Sequence, residues 1–187
     1  MGTMTKTISS GEDVVAFLKE QHQQVKSLFA TVLGAKGQQR ADAFRQLRRM
    51  LAVHETAEEE IVHPAARALP GGDAIVAARL KEENAAKTAL VELEKLDVDS
   101  SEFTARFQRL QTDVLAHAES EEKLEFDRLR TQLDPPRLQR MQKAVAFAES
   151  VAPTRPHPGV ESAAANMLAG PFASMVDRTR DALSGKA

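Results

Sequence analysis

The sequence predicts an all-α protein, an antiparallel up-down four-helix bundle with a C-terminal helical extension. Four long segments place apolar residues at the 3.6-residue period of an α-helix. Short clusters of glycine, proline and polar turn residues separate these segments, and no segment alternates polar and apolar residues for long enough to indicate a β-sheet. Comparable helices joined by short loops form antiparallel bundles, and 187 residues with 42% hydrophobic composition suffice for one such domain.

The breakers between the segments set the expected ends of the helices. Gly34 and Gly37 are expected to end the first helix. Pro64 is expected to kink the last turns of the second helix, and Asp73 to cap the third. A turn that ends at Ser101 supplies a capping serine for the fourth. The four helices are predicted over about residues 13–33, 40–69, 73–96 and 101–133.

The sequence also indicates how the chain is divided. Residues 1–10 are polar and predict a flexible N-terminus before the bundle of residues 11–133. Asp-Pro-Pro begins an additional helix over 134–150, and residues 151–187 predict a proline-rich linker and a C-terminal helical tail. No stretch approaches the roughly 20 apolar residues of a membrane span, and the N-terminus lacks the apolar core of a signal peptide. A cytoplasmic protein is therefore expected.

Composition excludes several classes of function. The 25 lysines and arginines nearly balance the 27 acidic residues, so the net charge of −2 provides no general attraction for nucleic acid or for an anionic membrane. The chain has no cysteine, which excludes disulfides, thiolate zinc sites, iron–sulfur clusters and cysteine nucleophiles. A metal would therefore be bound by histidine, carboxylate, amide or water. The composition assigns no oligomeric state.

A partial internal repeat indicates that the bundle is one helical hairpin written twice. The two copies of its clearest motif are His54-Glu-Thr-Ala-Glu58 and His117-Ala-Glu-Ser-Glu121. An offset of 63 residues relates these copies, and an offset of 62 residues aligns the segment around His22 with the segment around Asn84. A single loop insertion explains the difference between the two offsets. Asn84 thus stands where the repeat expects a histidine.

The spacing of the motif has a direct chemical meaning. Residues i and i+4 lie one turn apart on the same face of a helix, so each His-x-x-x-Glu pair can chelate a metal. A lone histidine or a glutamate-rich run is more often a solvated surface feature. Carboxylates that face a core, however, are costly to bury unless they are paired or bound to metal. The candidate metal ligands are His22, His54, Glu58, His117 and Glu121.

Together these residues resemble the hemerythrin-like, or HHE cation-binding, family over about residues 11–133. A histidine in the first helix and His-x-x-x-Glu in the second and fourth carry the resemblance. It implies a four-helix bundle around a non-haem, usually di-iron, centre in which Glu58 and Glu121 bridge the ions and histidines complete their ligands. It also implies binding of dioxygen, nitric oxide or peroxide, reaction with them, or a part in iron handling.

The third helix departs from the family pattern. Asn84 stands at the position where the resemblance implies a histidine, and Glu83 or Glu125 is a candidate substitute. Three outcomes stay open: an asymmetric di-iron site with an exposed coordination position, a mononuclear site, or a degenerate site that binds little metal. His63 is expected near the rim of the bundle, where it supports the ligands or lies at the surface. His157, among the prolines of the linker, is expected to be structural or incidental.

The sequence therefore predicts a non-haem iron-binding protein whose partner is a small diatomic or peroxide ligand, with no nucleic acid and no membrane. An open coordination position favours sensing or detoxification over reversible oxygen carriage. The alternative is a metal-poor bundle that acts as a structural or interaction protein through its C-terminal region. A zinc site with a structural role is a third alternative. The motifs leave open whether the protein is an enzyme.

Overall fold

The computed structural model describes residues 13–152 and 154–155, and the regular structure of this part of the chain is helical throughout. The predictions for the N-terminus, for the C-terminal tail and for His157 lie outside the described residues. The elements are α1 (Val14–Gly34), α2 (Gly37–Ala57), a first π-helical segment (Glu58–Val62), α3 (His63–Arg67), α4 (Gly72–Leu93), α5 (Ser101–Ser120), a second π-helical segment (Glu121–Phe126), α6 (Asp127–Gln132) and α7 (Pro135–Val151). The prediction of an all-α bundle is confirmed.

Two of the predicted bundle helices are interrupted by a wider π-helical turn. The second bundle helix consists of α2, the first π-helical segment and α3, and the fourth consists of α5, the second segment and α6. The prediction that Pro64 disturbs the second helix places the irregularity too late, because the departure from α-helical geometry begins at Glu58. Pro64 itself lies in the first turn of α3, where the missing N–H of proline costs little.

The loops depart from the expected caps at two glycines. Gly37 begins α2 instead of ending α1, with a φ of 54° and its N–H donated to the Asp99 carboxylate at 3.0 Å. Gly71, with a φ of 73°, is the N-cap of α4, so the prediction that Asp73 caps this helix is wrong. Asp73 lies in the first turn of α4, because the chain turns tightly enough after α3 to begin the helix at Gly72. A Cβ on Gly72 would lie 2.0 Å from the Ala66 carbonyl oxygen, which explains why a glycine is required there.

The helices pack as two hairpins with one additional helix beside them. α1 pairs with α2, α4 pairs with α5, and α7 lies against both α1 and α2. None of the helices in the described part of the chain is both long enough and apolar enough to cross a membrane.

The apolar interior is divided into two clusters. The phenylalanine cluster lies at one end of the bundle and includes Phe29, Phe44, Phe103 and Phe107. The α7 cluster lies at the other end and includes Leu18, Val62, Phe126, Leu129, Met141 and Val145. The phenylalanine rings pack closely, with centroids of neighbouring rings 5.1 to 5.9 Å apart. Aromatic rings prefer offset or edge-on arrangements, and such ring pairs stabilise the core beyond the burial of their apolar surface.

Replacing Phe107 by alanine is expected to lower the free energy of unfolding by about 3–5 kcal/mol, because the ring is fully buried and touches three other phenylalanines. Phe147→Ala is the matched control, since the Phe147 side chain is 69% exposed, and its effect should stay within about 0.5 kcal/mol. Urea unfolding followed by circular dichroism measures both. Equal losses in the two variants would contradict the assignment of the core.

Candidate metal centre

A layer of polar side chains separates the two apolar clusters. In α1, His22 lies between Leu18 of the α7 cluster and Val25 of the phenylalanine cluster. In the second bundle helix, His54 follows Leu51 of the phenylalanine cluster and precedes the first π-helical segment. Both imidazoles are buried. The candidate ligands therefore lie at one level of the bundle, between apolar ends that exclude water.

The described residues form three groups that could hold a metal, and two overlapping groups among them contain all five predicted ligands. The remaining group is His63, Glu121 and Glu125. The first group is His22, His54, Glu58 and Glu121, and the second is Glu58, Glu83, His117 and Glu121. Within each group, one ligand atom of every residue lies within 4.8 Å of the others. Because Glu58 and Glu121 belong to both groups, the geometry offers two neighbouring metal positions that share two carboxylates.

Glu121 lies between the histidines of the two groups. Its Oε2 atom is 3.5 Å from Nε2 of His22 and 3.3 Å from Nε2 of His117. On the other side of the centre, Nε2 of His54 is 3.2 Å from Oε2 of Glu58. Both glutamates are fully buried. These short nitrogen–oxygen separations show that the imidazole Nε2 atoms and the two shared carboxylates converge on one small volume.

The backbone repeats its irregularity at the two shared carboxylates. Glu58 is the first residue of one π-helical segment and Glu121 is the first residue of the other. π-Helical turns are rare and occur frequently at functional sites. The repeat seen in the sequence thus extends to the backbone, and the wider turn begins at the same residue in both copies.

Glu83 of α4 takes the place that the repeat assigns to Asn84. The Glu83 side chain is 1% exposed and belongs to the second group of ligands, whereas Asn84 is only half-buried. Oε1 of Glu83 is 2.6 Å from Nε2 of His63, and Oε2 of Glu83 has no hydrogen-bond partner. The third helix therefore contributes a carboxylate at the level where a histidine was expected.

His63 lies inside the bundle, so the prediction of a surface residue near the rim is wrong, while a role in supporting the ligands stays a prediction. It is 2% exposed and lies between two carboxylates, with Nε2 near Glu83 and Nδ1 2.8 Å from Oε1 of Glu125. Burial works to lower the pKa of His63, but the charges of Glu83 and Glu125 and the hydrogen bonds to them outweigh it and hold the pKa well above its usual value. His63 is thus a cation that orients two buried carboxylates.

The other three imidazoles share one arrangement. Each turns Nε2 toward the centre and holds Nδ1 against an oxygen acceptor on a neighbouring helix. The pairs are His22 with Glu122 at 3.0 Å, His54 with Gln21 at 2.7 Å and His117 with Glu82 at 2.9 Å. In metal sites a partner of this kind selects the tautomer and orientation of a histidine ligand. Sequence motifs do not reveal these partners, because glutamate and glutamine are ordinary residues on a solvated helix face.

The position of each partner next to an inward-facing residue in the sequence is a signal that predicts it. Each one is the neighbour in sequence of a residue that faces the centre, in the pairs Gln21–His22, Glu82–Glu83 and Glu121–Glu122. Successive residues of an α-helix point about 100° apart, so the neighbour of an inward residue reaches the adjacent helix. The pair Gln21–His22 corresponds in role to Glu82–Glu83, an offset of 61 residues instead of the 62 in the sequence alignment.

A further layer holds these partners in place. Gln21 donates from Nε2 to Oε1 of Glu149 at 2.7 Å, which connects α7 to the ring of His54. The remaining contacts are Lys19 with Glu122 at 3.0 Å and Arg79 with Glu82 at 2.9 Å. The orientation of each imidazole therefore depends on residues two contacts away from the centre.

The electrostatics of the centre leave some of its side chains neutral and others charged. Burial and, to a smaller extent, the nearby His22 lower the pKa of His54 to about 3, so the imidazole is neutral and its Nε2 atom can act as a ligand. Burial raises the pKa of Glu58 well above its usual range, and the charge of Glu121 adds to this shift. Burial also acts to raise the pKa of Glu121, but the charge of His117 outweighs it and holds the pKa well below its usual range.

The residues present fit a metal. Buried polar atoms without a hydrogen-bond partner collect at the centre: both carboxylate oxygens of Glu58 and of Glu121, Oε2 of Glu83 and of Glu125, and Nε2 of His22 and of His117. A buried polar atom that lacks a partner is costly, and such atoms are rare in folded proteins. A cation bound among them would satisfy them together, and a mixed nitrogen and oxygen set suits first-row metals such as iron, manganese or zinc.

Comparisons with known proteins concern the family and the fold. Residues 13–129 match the family model described as the Hemerythrin HHE cation binding domain, which is more than half of the chain. The fold is similar to the crystal structure of a hemerythrin HHE cation binding domain-containing protein from Mycobacterium kansasii, with a TM-score of 0.67. That match covers 74% of this chain and 86% of the other at 20% identity, which shows the fold alone. No curated protein matches the sequence significantly.

Gln21→Ala is expected to weaken metal binding about 10- to 100-fold, because it removes the acceptor that orients His54 and breaks the link to α7. Gln24→Ala is the control, since Gln24 lies one turn along the same helix and is exposed. Competition with a coloured chelator for ferrous or cobaltous ion gives both affinities. An unchanged affinity in the first variant would show that this contact does not support the centre.

Proposed function

Because the chain belongs to the hemerythrin HHE cation-binding family, we propose that its centre holds two ions of non-haem iron bridged by Glu58 and Glu121. His22 and His54 complete the ligands of one ion, and Glu83 and His117 complete those of the other. We propose further that the centre binds or reduces a small ligand, dioxygen, nitric oxide or peroxide, in the cytoplasm.

The observation that carries this proposal is the set of unpartnered oxygens on the two shared glutamates. All four carboxylate oxygens of Glu58 and Glu121 are buried without a hydrogen bond, and each glutamate belongs to both groups of ligands. Two ions held between Glu58 and Glu121 would give all four oxygens a partner. Two groups of four ligands that share two members favour a pair of ions over a single one.

The two positions differ in their ligands. One is surrounded by two imidazoles and two carboxylates, and the other by one imidazole and three carboxylates. The His117 side chain is 13% exposed, compared with 6% for His22 and 5% for His54, so the carboxylate-rich position lies nearer to solvent. Fewer nitrogen ligands and easier access favour ligand sensing or detoxification over reversible oxygen carriage, which requires a protected pair.

Bound iron would supply Lewis acidity and one-electron redox chemistry toward the small ligand. The chain itself supplies three things. Neutral His54 offers a lone pair, Glu58 offers a buried carboxyl group whose pKa burial raises, and the partners on Nδ1 hold the rings so that Nε2 stays turned inward. The apolar clusters on both sides exclude water from the layer. The alternative prediction of a metal-poor interaction protein depended on Asn84, and the carboxylate of Glu83 at that level weakens its basis.

Glu121→Gln is expected to reduce the iron content from about two ions per chain to below one, because it removes a shared carboxylate. It should also abolish most of the stabilisation by ferrous ion, which in the wild-type protein should raise Tm by roughly 10 °C at a thousandfold excess over Kd. Glu119→Gln is the control, since Glu119 is 66% exposed on the same helix. Elemental analysis and calorimetry measure the two effects, and the proposal fails if Glu121→Gln retains both ions.

Glu83→Ala tests the pair of ions directly. We expect about one iron per chain to remain, held by His22, His54 and the shared glutamates, since only the second group contains Glu83. The chain has no tryptophan and no tyrosine, so charge-transfer absorption of a ferric pair in the near ultraviolet is unobscured, and it should disappear in this variant. Zinc in place of iron would give metal content without such a band. Loss of both ions together would indicate that the positions do not fill separately.

A further inference from the structure

The amide of Gln21 connects the additional helix α7 to the imidazole of His54. Gln21 is 6% exposed, and both ends of its amide group have a partner. Its Nε2 atom donates to Oε1 of Glu149 in α7, and its Oε1 atom lies 2.7 Å from Nδ1 of His54. An amide has one donor end and one acceptor end, so the end that it turns to Glu149 also fixes the end that it presents to His54.

The carboxylate of Glu149 sets this direction. An ionised carboxylate accepts hydrogen bonds and has no hydrogen to donate, so Glu149 receives the NH2 group of Gln21. The carbonyl oxygen of Gln21 then faces His54, and this oxygen can only accept a hydrogen bond. The neutral imidazole of His54 therefore carries its hydrogen on Nδ1, which leaves the lone pair on Nε2.

A competing acceptor lies on the other side of the same ring. Nε2 of His54 is 3.2 Å from Oε2 of Glu58, a fully buried carboxyl group that could accept a hydrogen from Nε2. In that tautomer the lone pair would lie on Nδ1, turned away from the centre, and Nε2 could not bind an ion. The hydrogen bond made by one ring nitrogen determines whether the other can bind a metal. The contact at Nδ1 thus decides whether His54 can act as a ligand.

His54 differs in this respect from the other two imidazoles that turn Nε2 toward the centre. His22 and His117 each hold Nδ1 against a glutamate carboxylate, which accepts whichever way it is turned. An amide can instead be turned round so that it offers its NH2 group. The group behind the amide removes this ambiguity, and that group is Glu149.

Packing on both sides of Glu149 holds it against α1. Val145 and Ala148, which precede it in α7, are buried in the α7 cluster. Beyond the end of α7, Arg155 donates to Oε1 of Glu94 in α4 at 3.0 Å. The carboxylate of Glu149 is therefore fixed in position relative to the amide of Gln21.

We propose that Glu149 is a positioning residue of the metal centre. Acting through the amide of Gln21, it holds the hydrogen of His54 on Nδ1 and so keeps Nε2 available to the ion. Glu149 does not itself belong to either group of ligands, and it lies in a helix outside the four-helix bundle. The inference rests on the proposed function for the ion at Nε2, and it adds a residue on which that ion depends.

Glu149→Gln tests the direction of the amide in the metal-free protein. The new side chain can donate as well as accept, so the amide of Gln21 can reverse and the hydrogen of His54 can move to Nε2. Long-range hydrogen–nitrogen correlation spectra of protein with isotope-labelled histidine distinguish protonated from unprotonated ring nitrogens, and His54→Gln identifies the signals. At about pH 8, where carboxyl groups are ionised, the ratio of the Nδ1-protonated to the Nε2-protonated tautomer should fall from above ten to about one. Hydrogen on Nε2 in the wild-type protein, or an unchanged ratio in the variant, overturns the inference.

A second substitution supplies a rescue. Adding Gln21→Glu to Glu149→Gln moves the carboxylate to position 21, where it accepts from Nδ1 of His54 and from the amide at position 149. The ratio should return to its wild-type value, which a merely structural role of Glu149 would not produce, and failure to return overturns the inference. Lys143→Gln, a change of charge on the exposed face of α7, is the control and should leave the ratio as it is. Glu149→Leu, which removes the acceptor, replaces Glu149→Gln if that variant does not fold.

Metal affinity separates this inference from the proposed function. In Glu149→Gln, affinity for cobaltous ion should fall in proportion to the fraction of His54 that keeps its hydrogen on Nδ1, about twofold where the tautomers are equally populated. An unchanged affinity in a variant whose tautomer ratio has fallen overturns the role of Glu149 in metal binding. The tautomer ratio is measured without metal, so an unchanged ratio in a protein that binds iron overturns this inference alone. Failure of the wild-type protein to bind any metal overturns the proposed function, whatever the ratio.

Discussion

Four carboxylates are buried at one level of the helical bundle, and the rest of the structure must offset the free-energy cost of burying them together. Glu58, Glu83, Glu121 and Glu125 are each at most 1% exposed. Two unit charges 4 Å apart repel by about 4 kcal/mol at the effective dielectric constant of protein sites, and burial adds the loss of hydration. The chain offsets part of this cost with His63 and His117, whose pKa values are held well above the usual range, and with the raised pKa of Glu58. Cations between the shared glutamates would offset the remainder, so binding of a cation at this layer would stabilise the fold.

The same layer explains why helix packing and ligand orientation are inseparable in this protein. Each inward-facing residue on one helix has a neighbour that supports an imidazole on another, as Gln21 does for His54 and Glu82 does for His117. A small rotation of one helix would therefore misplace both its own ligand and the ligand of the adjacent helix. α7 takes part through Glu149 and Gln21, so a helix outside the four-helix bundle contributes to the geometry of the centre. The two apolar clusters hold the helices on either side of the layer and fix these rotations.

Most of the fold could be predicted from the sequence. Two of the wrong predictions concern details that local backbone geometry determines. The four helices followed from apolar periodicity, which reports directly on which face is buried. An irregularity was expected at Pro64, but the departure from α-helical geometry begins at Glu58. The sequence does not predict it, because a π-helical turn depends on how the helices pack and has no residue signature of its own. The cap expected at Asp73 is displaced because Gly71 adopts a left-handed conformation that starts the helix earlier. His63 was expected near the rim, since neither its spacing nor its neighbours reveal that Glu83 and Glu125 lie on both sides of it.

The sequence by itself determined the family, the bundle and the five residues His22, His54, Glu58, His117 and Glu121 that meet at its centre. Spacing along a helix is a local property, and i and i+4 face the same way wherever the helix is placed. Only the tertiary structure decided which side chain takes the place of the histidine that the repeat expects at Asn84. The rotation of α4 against α5 turns Glu83 inward and leaves Asn84 half-buried, and rotation is set by packing across the interface, which no single helix encodes. A cavity beside His117 has the same origin, because small side chains of α4 and α5, together with Glu55 of α2, enclose it only when the helices are packed together.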